Sequence, residues 1–186
     1  RHRFAPSNED VKKAVEILLA AKKPVIWSGM GVLMSGASDE LTELAELTEI
    51  PVYCTMPGKS GFDQRHPLSL GSGSGATSQE ARTWLQESDV LFAVGSSMSR
   101  TSYGQPIPDG KVIIHNTETV EDLNKDFSVD CGLVGDSKLT LQLIIEEVKS
   151  QLGVNGRKDQ TGVAEEIKKI HNEWMSKWID VLSTDE

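Results

Sequence analysis

Apolar residues recur at intervals of three and four along five stretches of this chain, the spacing expected for one face of an amphipathic helix. The first stretch follows Ser7, with Val11, Val15, Leu18 and Leu19 on one side and acidic residues in its opening turn. Ser7 is therefore a predicted helix N-cap. The other predicted helices cover residues 38–50, 77–88, 136–152 and 161–182.

Short, mostly apolar runs between these helices predict buried β-strands. They cover residues 25–27, 51–55, 89–96, 111–116 and 129–135. Residues 56–75 are rich in Gly, Ser and Pro and predict a long loop. Strands that alternate with helices of this length need helical crossovers between parallel neighbours. We therefore expect an α/β fold: a doubly wound, mostly parallel sheet with helices on both faces, Rossmann-like and of the NAD/FAD-binding type.

The residues after 152 predict a linker and one further helix. Residues 1–152 are expected to form one domain, residues 153–161 a polar, glycine-bearing linker, and residues 162–186 a C-terminal amphipathic helix. The apolar positions of that helix are Ile167, Ile170, Trp174 and Trp178. Its tryptophans need a surface to cover, either on this domain or on a neighbouring one.

Composition narrows the class of protein. The 186 residues, 38% of them hydrophobic, suffice for one well-packed domain. A formal net charge of -9 disfavours binding to nucleic acid or to an anionic membrane surface. Cys54 and Cys131 stand far apart without His or Cys neighbours, which predicts buried thiols and neither a zinc site nor a disulfide. Without a signal peptide or a run of roughly 20 apolar residues, we expect a cytoplasmic location. Because the sequence begins at Arg1, not Met, we also expect an excised piece of a longer polypeptide.

Three glycine-rich segments raise the question of a nucleotide site. In "VIWSGMGV", Gly29 and Gly31 follow a predicted strand, which fits either a phosphate-binding turn or a tight strand-to-helix turn. "GKS" at residues 58–60 matches the end of a phosphate loop, but the glycine required five positions earlier is Tyr53. "GSGSGA" at residues 71–76 matches a dinucleotide fingerprint, yet no predicted strand leads into it, so a flexible loop is favoured.

Candidate catalytic groups are few. Among the four histidines, His115 carries most weight because it ends a predicted strand, where open α/β sheets bind ligands, although a structural role is favoured for it. Glu40, Glu43, Glu46 and Glu49 form an acidic stripe that we interpret as a solvated helix face. Asp136 begins a helix, so an N-cap role explains it and a ligand contact is compatible with that role. We assign no catalytic residue and no metal ligand.

Several motifs taken in order resemble the middle domain of thiamine-diphosphate-dependent enzymes of the acetolactate synthase type. These motifs are "KPVIWSGMGV", "GKSGFDQRHPLSLG", "SDVLFAVGSS", "KVIIHN" and "NKDFSVDCGLVGDSKL". The likeness extends from Ser7 to Leu152, and "EWMSKWIDVLSTDE" resembles the connection into the next domain.

The resemblance implies a polypeptide that also carries a pyrimidine-binding domain and a diphosphate-binding domain, assembled as a homodimer or homotetramer. Thiamine diphosphate and Mg²⁺ would be held by those domains and not by this fragment, since the family's GDG motif is here Gly135-Asp136-Ser137 and lacks its Asn pair. The fragment alone is expected to be inactive.

The resemblance further implies a slot that holds part of FAD in some members, ADP in others and nothing in the rest. The positions facing that slot would be Gly29, Gly31, Thr55, Met56, Gly95, Ser97, Thr117, Glu118, Asp136 and Ser137.

This chain departs from the flavin-binding pattern in the loop after "VG". Ser97, Ser99 and Thr101 stand where flavin-dependent members carry Arg, Asp and Arg. Each lost guanidinium removes charge-assisted hydrogen bonds worth about 1.5–3 kcal/mol, so we expect weak FAD binding or an empty, vestigial slot. Two other hypotheses stay open: a free-standing NAD- or nucleotide-binding module, and a purely structural interaction domain.

Overall fold

A computed structural model of the chain describes residues 2–74 and 76–183. These residues contain six strands and six α-helices. The strands are β1 (Pro24–Ser28), β2 (Val52–Thr55), β3 (Ser69–Gly73), β4 (Val90–Val94), β5 (Val112–Thr117) and β6 (Cys131–Val134). The helices are α1 (Asn8–Ala20), α2 (Met30–Ser35), α3 (Ser38–Thr48), α4 (Gln79–Glu87), α5 (Ser137–Leu152) and α6 (Val163–Leu182).

The strands form one sheet in the order β3-β2-β1-β4-β5-β6, and every pairing is parallel. The order reverses between β1 and β4, so the two halves of the sheet grow outward from these central strands. Trp27 of β1 is in register with Tyr53 of β2 and Ala93 of β4, and Ala93 with His115 of β5. The predicted doubly wound α/β fold is confirmed.

Alternate strand residues point into two separate cores, as the pleat requires. One core lies beneath α1, α2, α3 and α5 and receives Ile26 and Phe92. The other lies beneath α4 and α6 and receives Trp27, Tyr53 and Leu91. Because both faces are covered, the central strands read as continuous apolar runs.

Side-chain caps define where several helices begin. Ser7 accepts the Asp10 N–H at 3.1 Å, and Asp136 accepts the Leu139 N–H at 3.1 Å. Ser78 accepts the Ala81 N–H at 3.2 Å and so fixes the start of α4. Each cap satisfies a backbone donor that the first helical turn leaves unpaired. The predicted N-caps Ser7 and Asp136 are confirmed.

The predicted loop over residues 56–75 is wrong in its last part. Ser69–Gly73 forms β3, the edge strand beside β2. Its sequence "SLGSG" has low strand propensity, and the ladder offered by β2 creates the strand. The fingerprint glycines Gly71 and Gly73 therefore lie inside a strand and not in a strand-to-helix turn.

Two details of the helix predictions also change. The turn after β1 contains the short helix α2, which ends at Gly36 in a left-handed conformation with φ +67°. The spacing of apolar residues predicts Leu139, Leu143, Ile144 and Val148 as the buried stripe of α5. The structure also buries Leu141, Ile145 and Ser137, whereas Leu139 and Leu143 are only half-buried. The α5 stripe is rotated because this helix packs on both α1 and α3 as well as on the sheet.

The segment between α5 and α6 is bound to the domain surface. Arg157 donates its N–H to Leu47 O and its guanidinium to Leu19 O. The Glu49 carboxylate accepts the N–H groups of Asp159, Gln160 and Thr161. Helix α6 then packs on α4, with Ile167 buried in the second core.

Among the helices in the described ranges, none has the length and hydrophobicity needed to cross a bilayer.

Candidate functional site

The candidate site lies at the carboxyl ends of β1 and β4, where the strand order reverses. In open α/β sheets this position leaves a crevice between the two diverging loops, and ligands bind there. Here the loops are residues 29–31, after β1, and residues 95–101, after β4. The loop after β2, residues 56–61, lies against the first of them.

Glycines in these loops allow three backbone segments to touch. A Cβ on Gly29 would lie 2.3 Å from Gly95 O, and one on Gly31 would lie 2.6 Å from Gly95 Cα. Gly31 donates its N–H to Gly95 O at 2.8 Å, and Gly29 donates to Val94 O at 2.9 Å. These close approaches show that the glycines of "VIWSGMGV" are required by the chain's own packing. That they also face a nucleotide stays a prediction.

The "GKS" segment also packs against these loops. A Cβ on Gly58 would lie 2.7 Å from Ser28 O and 2.8 Å from Gly29 C. The Gly58 N–H points back to Thr55 O at 2.9 Å and to Thr55 Oγ1 at 3.2 Å. Thr55 therefore stabilises the turn, while the adjoining Met56 is 54% exposed.

Asn116, which the sequence analysis did not single out, connects the ends of three strands and a helix. It is fully buried. Its amide donates to Leu133 O, Gly135 O and Thr140 Oγ1 at 2.9–3.1 Å, and its Oδ1 accepts the Gly95 N–H at 3.2 Å. The signal was present in the sequence, because an amide at the end of a buried strand must find partners.

The loop after β4 is tied to the segment that follows β5. Ser97 and Ser99 are exposed and lie 3.2 Å apart through their hydroxyls, and Lys125 Nζ lies 3.3 Å from Ser99 Oγ. The Arg100 guanidinium stacks over Phe127 at 4.6 Å from the ring centroid, while its N–H reaches Asp126. The one arginine of this loop is thus directed to an aromatic ring.

The last residues of β5 turn toward the same segment. Thr117 donates its hydroxyl to Asp122 Oδ2 at 3.2 Å and accepts the Thr119 N–H at 3.2 Å. Glu118 follows it in a half-buried position. Thr117 is therefore held by a local turn.

Asp136 and Ser137 face different neighbours. Asp136 is 2% exposed, caps α5, and lies 3.6 Å from Arg3 Nε of the N-terminal segment. The Ser137 hydroxyl lies 2.8 Å from the position that a Cβ on Gly95 would take. The structure thus brings Ser137 together with Gly29, Gly31 and Gly95, and directs Asp136 to the N-terminal segment.

His115 lies in the row of side chains beneath this edge and is fully buried. Its Nε2 lies 2.7 Å from Ser96 O, an arrangement in which the ring donates a hydrogen bond. Its Nδ1 has no hydrogen-bond partner among the described residues. Burial lowers the pKa of His115 below its usual value. A neutral, enclosed imidazole that holds a backbone carbonyl is a structural group.

Like His115, the Cys54 thiol and the acidic side chains of the described residues show no arrangement for catalysis or metal binding. Burial raises the pKa of the Cys54 thiol to about 11, so a thiolate nucleophile is not available at neutral pH. Across residues 2–74 and 76–183, no cluster of three or more His, Cys, Asp or Glu side chains could hold a metal ion. The edge offers hydroxyls, backbone groups and Lys125 for binding.

The acidic stripe at α3 is solvated in part, since Glu43 and Glu46 are exposed, but its carboxylates are also paired. Glu40 and Glu43 contact Lys138 and Lys149 of α5 at 3.2 and 2.5 Å. Glu46 lies 3.2 Å from His66, and Glu49 holds residues 159–161. The stripe docks α5 and the following segment onto α3.

Comparison with known proteins matches residues 11–144 to the family model described as thiamine pyrophosphate enzyme, central domain. This chain belongs to that family. The match includes all six strands and helices α2, α3 and α4. It also includes most of α1 and the first half of α5. The resemblance inferred from the ordered motifs is confirmed.

Its relatives include large subunits of acetolactate synthases. The chain is 33% identical over 166 residues to a probable acetolactate synthase large subunit of Methanococcus aeolicus, covering 87% of this chain and 28% of the relative. It is 30% identical over 180 residues to the acetolactate synthase large subunit of Corynebacterium glutamicum, covering 95% and 26%. The chain thus spans about a quarter of the length of these relatives.

A solved structure shares the fold. Benzoylformate decarboxylase from Polynucleobacter necessarius aligns with a TM-score of 0.64 at 23% identity, over 77% of this chain and 28% of that one.

The family's cofactor does not fit the groups described above. A diphosphate with its metal needs free carboxylate and amide oxygens. Asp136 caps α5 and contacts Arg3, and the Asn116 amide is engaged by four backbone and side-chain groups. Neither Asp136 nor Asn116 is therefore free to act as a ligand for a metal-bound diphosphate.

Proposed function

We propose that this chain is the central, structural domain of a thiamine-diphosphate-dependent decarboxylase or carboligase of 2-oxo acids, acetolactate-synthase-like and cytoplasmic. The observation that carries the proposal is the family match over residues 11–144, combined with relatives of whose length this chain covers only about a quarter. The domain spaces a pyrimidine-binding and a diphosphate-binding domain of one polypeptide, which assembles as a homodimer or homotetramer. Thiamine diphosphate with Mg²⁺, bound by those domains, supplies the carbanion chemistry.

The nucleotide slot is proposed to be vestigial. Its expected lining includes Gly29, Gly31 and Gly95, which are already in contact with one another. The loop that carries guanidinium groups in flavin-binding members presents Ser97 and Ser99 here, and Arg100 stacks on Phe127. Lys125 Nζ lies 3.3 Å from Ser99 Oγ, and a single lysine holds a diphosphate less firmly than paired arginines do.

Calorimetry on the full chain tests both statements. Titrations with thiamine diphosphate plus Mg²⁺, FAD, ADP and NAD are expected to give no binding, or weak binding of FAD or ADP alone. The triple variant Ser97→Arg, Ser99→Asp, Thr101→Arg restores the flavin-binding pattern and is expected to strengthen FAD binding without affecting NAD. Binding of NAD alone would favour a free-standing nucleotide-binding module, and turnover of a 2-oxo acid by the chain alone would refute the proposal.

A further inference from the structure

Residues 56–68 cross from β2 to β3 in a series of turns, and one imidazole fastens the far end of this crossover. His66 Nε2 lies 3.2 Å from Glu46 Oε1, and the Leu68 N–H donates to His66 Nδ1 at 3.1 Å. The His66 side chain is 18% exposed and packs against the Phe62 ring, with 4.9 Å between the ring centroids. His66 therefore joins α3 to the start of β3.

These two contacts fix the position of the proton on the ring. A nitrogen that accepts a backbone N–H must offer a lone pair, so Nδ1 of His66 carries no proton. The ring proton is then on Nε2, which donates it to the Glu46 carboxylate. The folded chain thus holds His66 as the neutral Nε2–H tautomer.

A second proton on the ring would point at another donor. Protonated Nδ1 would face the Leu68 N–H, and two donors cannot bond to each other, whereas the contact with Glu46 would become a charged pair. Leu68 is 5% exposed, and its carbonyl accepts the Val52 N–H at 2.9 Å, where the β2–β3 pairing begins. The ring contact is therefore coupled to the pairing of the edge strand.

Two carboxylates and one guanidinium belong to the surroundings of the ring. Glu46 stands on the α3 side. Asp63 lies within the crossover, where its carbonyl accepts the His66 N–H at 3.0 Å, and its carboxylate is 3.2 Å from the exposed Arg65 guanidinium. The ring is thus held between Glu46, which binds the proton on Nε2, and Leu68, which needs Nδ1 free.

We propose that His66 is a pH-sensitive latch on the edge strand β3. With the ring neutral, Leu68 is bound and the latch is closed. When a solvent proton binds Nδ1, the Leu68 N–H loses its acceptor and the start of β3 opens. Phe62 in the first core and Gly58 against the end of β1 keep the rest of the crossover in place. Imidazoles titrate between about pH 5 and 8, so the change falls near neutral pH. This inference does not depend on the proposed thiamine-enzyme function.

NMR and hydrogen exchange on the full chain test the latch. Ring nitrogen shifts at pH 7.5 are expected to show the proton of His66 on Nε2. From pH 7.5 to 5, the protection factor of the Leu68 amide relative to that of Ile26 is expected to fall about tenfold or more, as for an enclosed N–H that loses its acceptor. Ile26, whose N–H donates to Pro51 O, is the reference for global stability.

Matched variants separate the latch from other titrating groups. His66→Asn places an amide oxygen near the position of Nδ1, so the side chain can still accept the Leu68 N–H but cannot become charged. We expect the protection ratio of this variant to stay level between pH 7.5 and 5. His171→Asn removes another imidazole bound to a glutamate and is expected to retain the fall. Circular dichroism verifies that both variants fold.

Three results would overturn the proposal. A proton on Nδ1 at pH 7.5 would show that the Leu68 N–H does not bind the ring. A constant protection ratio in the unmodified chain would show that protonation does not release the edge strand. The same fall in His66→Asn would assign the pH dependence to a different group.

Discussion

At the scale of single residues, three glycines and one buried amide determine how the loops pack at the carboxyl edge of the sheet. Gly29, Gly31 and Gly95 allow backbone segments to approach within distances that no Cβ tolerates. Asn116 then satisfies backbone groups that the strand ends would otherwise leave unpaired. The glycine spacing was visible in the sequence, but what the glycines approach was not.

Replacing Gly31 by alanine tests this packing. The new Cβ would lie 2.6 Å from Gly95 Cα, a backbone atom that cannot move aside cheaply. We expect the free energy of unfolding to fall by about 2 kcal/mol or more, as overpacked sites do. Urea denaturation measures it. Gly36→Ala is the control, since a Cβ there meets open space and only the left-handed backbone, φ +67°, costs about 1 kcal/mol. Equal losses in the two variants would contradict the interpretation.

His115 makes stability depend on pH in a defined direction. Its pKa is lowered in the folded chain by burial, so below about pH 6.5 the unfolded chain binds more protons than the folded one. Stability therefore falls on acidification from pH 7 toward the lowered pKa. We expect His115→Gln, which keeps an N–H donor for Ser96 O, to show a shallower loss in unfolding measured from pH 7 to 5. A loss of stability in His115→Gln as steep as in the unmodified chain would contradict this assignment.

At the scale of elements, ion pairs fix how the helices are placed against one another. The α3 carboxylates bind α5, and Lys23 joins Glu87 near the end of α4 to Glu166 of α6 while lying over the Trp84 ring. Exposed pairs of this kind contribute little singly. The half-buried ones fix the relative position of elements whose apolar faces supply most of the energy.

Glu49, which follows the last residue of α3, accepts four hydrogen bonds from residues 159–161. Burial acts to raise its pKa, but the donors of Thr161, Asp159 and Gln160 outweigh burial and hold the pKa below its usual value. Its stabilisation is therefore complete above about pH 4.3 and is lost as pH falls through the lowered pKa. We expect Glu49→Gln to cost about 1–2 kcal/mol at pH 7, because hydrogen bonds to a charged group are lost.

Amide hydrogen exchange separates this effect from general destabilisation. The Glu49→Gln variant should exchange faster at residues 159–161, whose N–H groups the carboxylate accepts. Glu9→Gln, at an exposed position in the first turn of α1, should not. Unchanged protection at residues 159–161 would show that the carboxylate does not hold this segment.

At the scale of the whole molecule, two cores share one sheet, and the C-terminal helix contacts the first core at its start and the second through Ile167. Ile167 is 6% exposed and joins α6 to the core that contains Trp84 and Leu91. The boundary drawn at residues 153–161 stays a prediction, but the segment itself is hydrogen-bonded to α3.

Ile167→Ala tests whether α6 unfolds with the sheet. Removing a buried isoleucine side chain typically costs about 2–5 kcal/mol. We expect one transition at lower denaturant concentration, seen alike by circular dichroism and by tryptophan fluorescence. Ile170→Ala, at a half-buried position three residues on, should cost less. A separate early transition in circular dichroism, with the sheet unaffected, would show that α6 is an independent unit.

The sequence by itself determined the fold class, most strand and helix positions, the N-caps Ser7 and Asp136, and the family. These depend on local periodicity, capping chemistry and ordered motifs, which are properties of neighbouring residues. Only the tertiary structure decided that "SLGSG" is a strand, that the glycine loops close on one another, that the α3 carboxylates are paired, and that Trp174 and Trp178 stay exposed. Each of these depends on a partner far away in the chain, and sequence periodicity does not specify which distant groups come together.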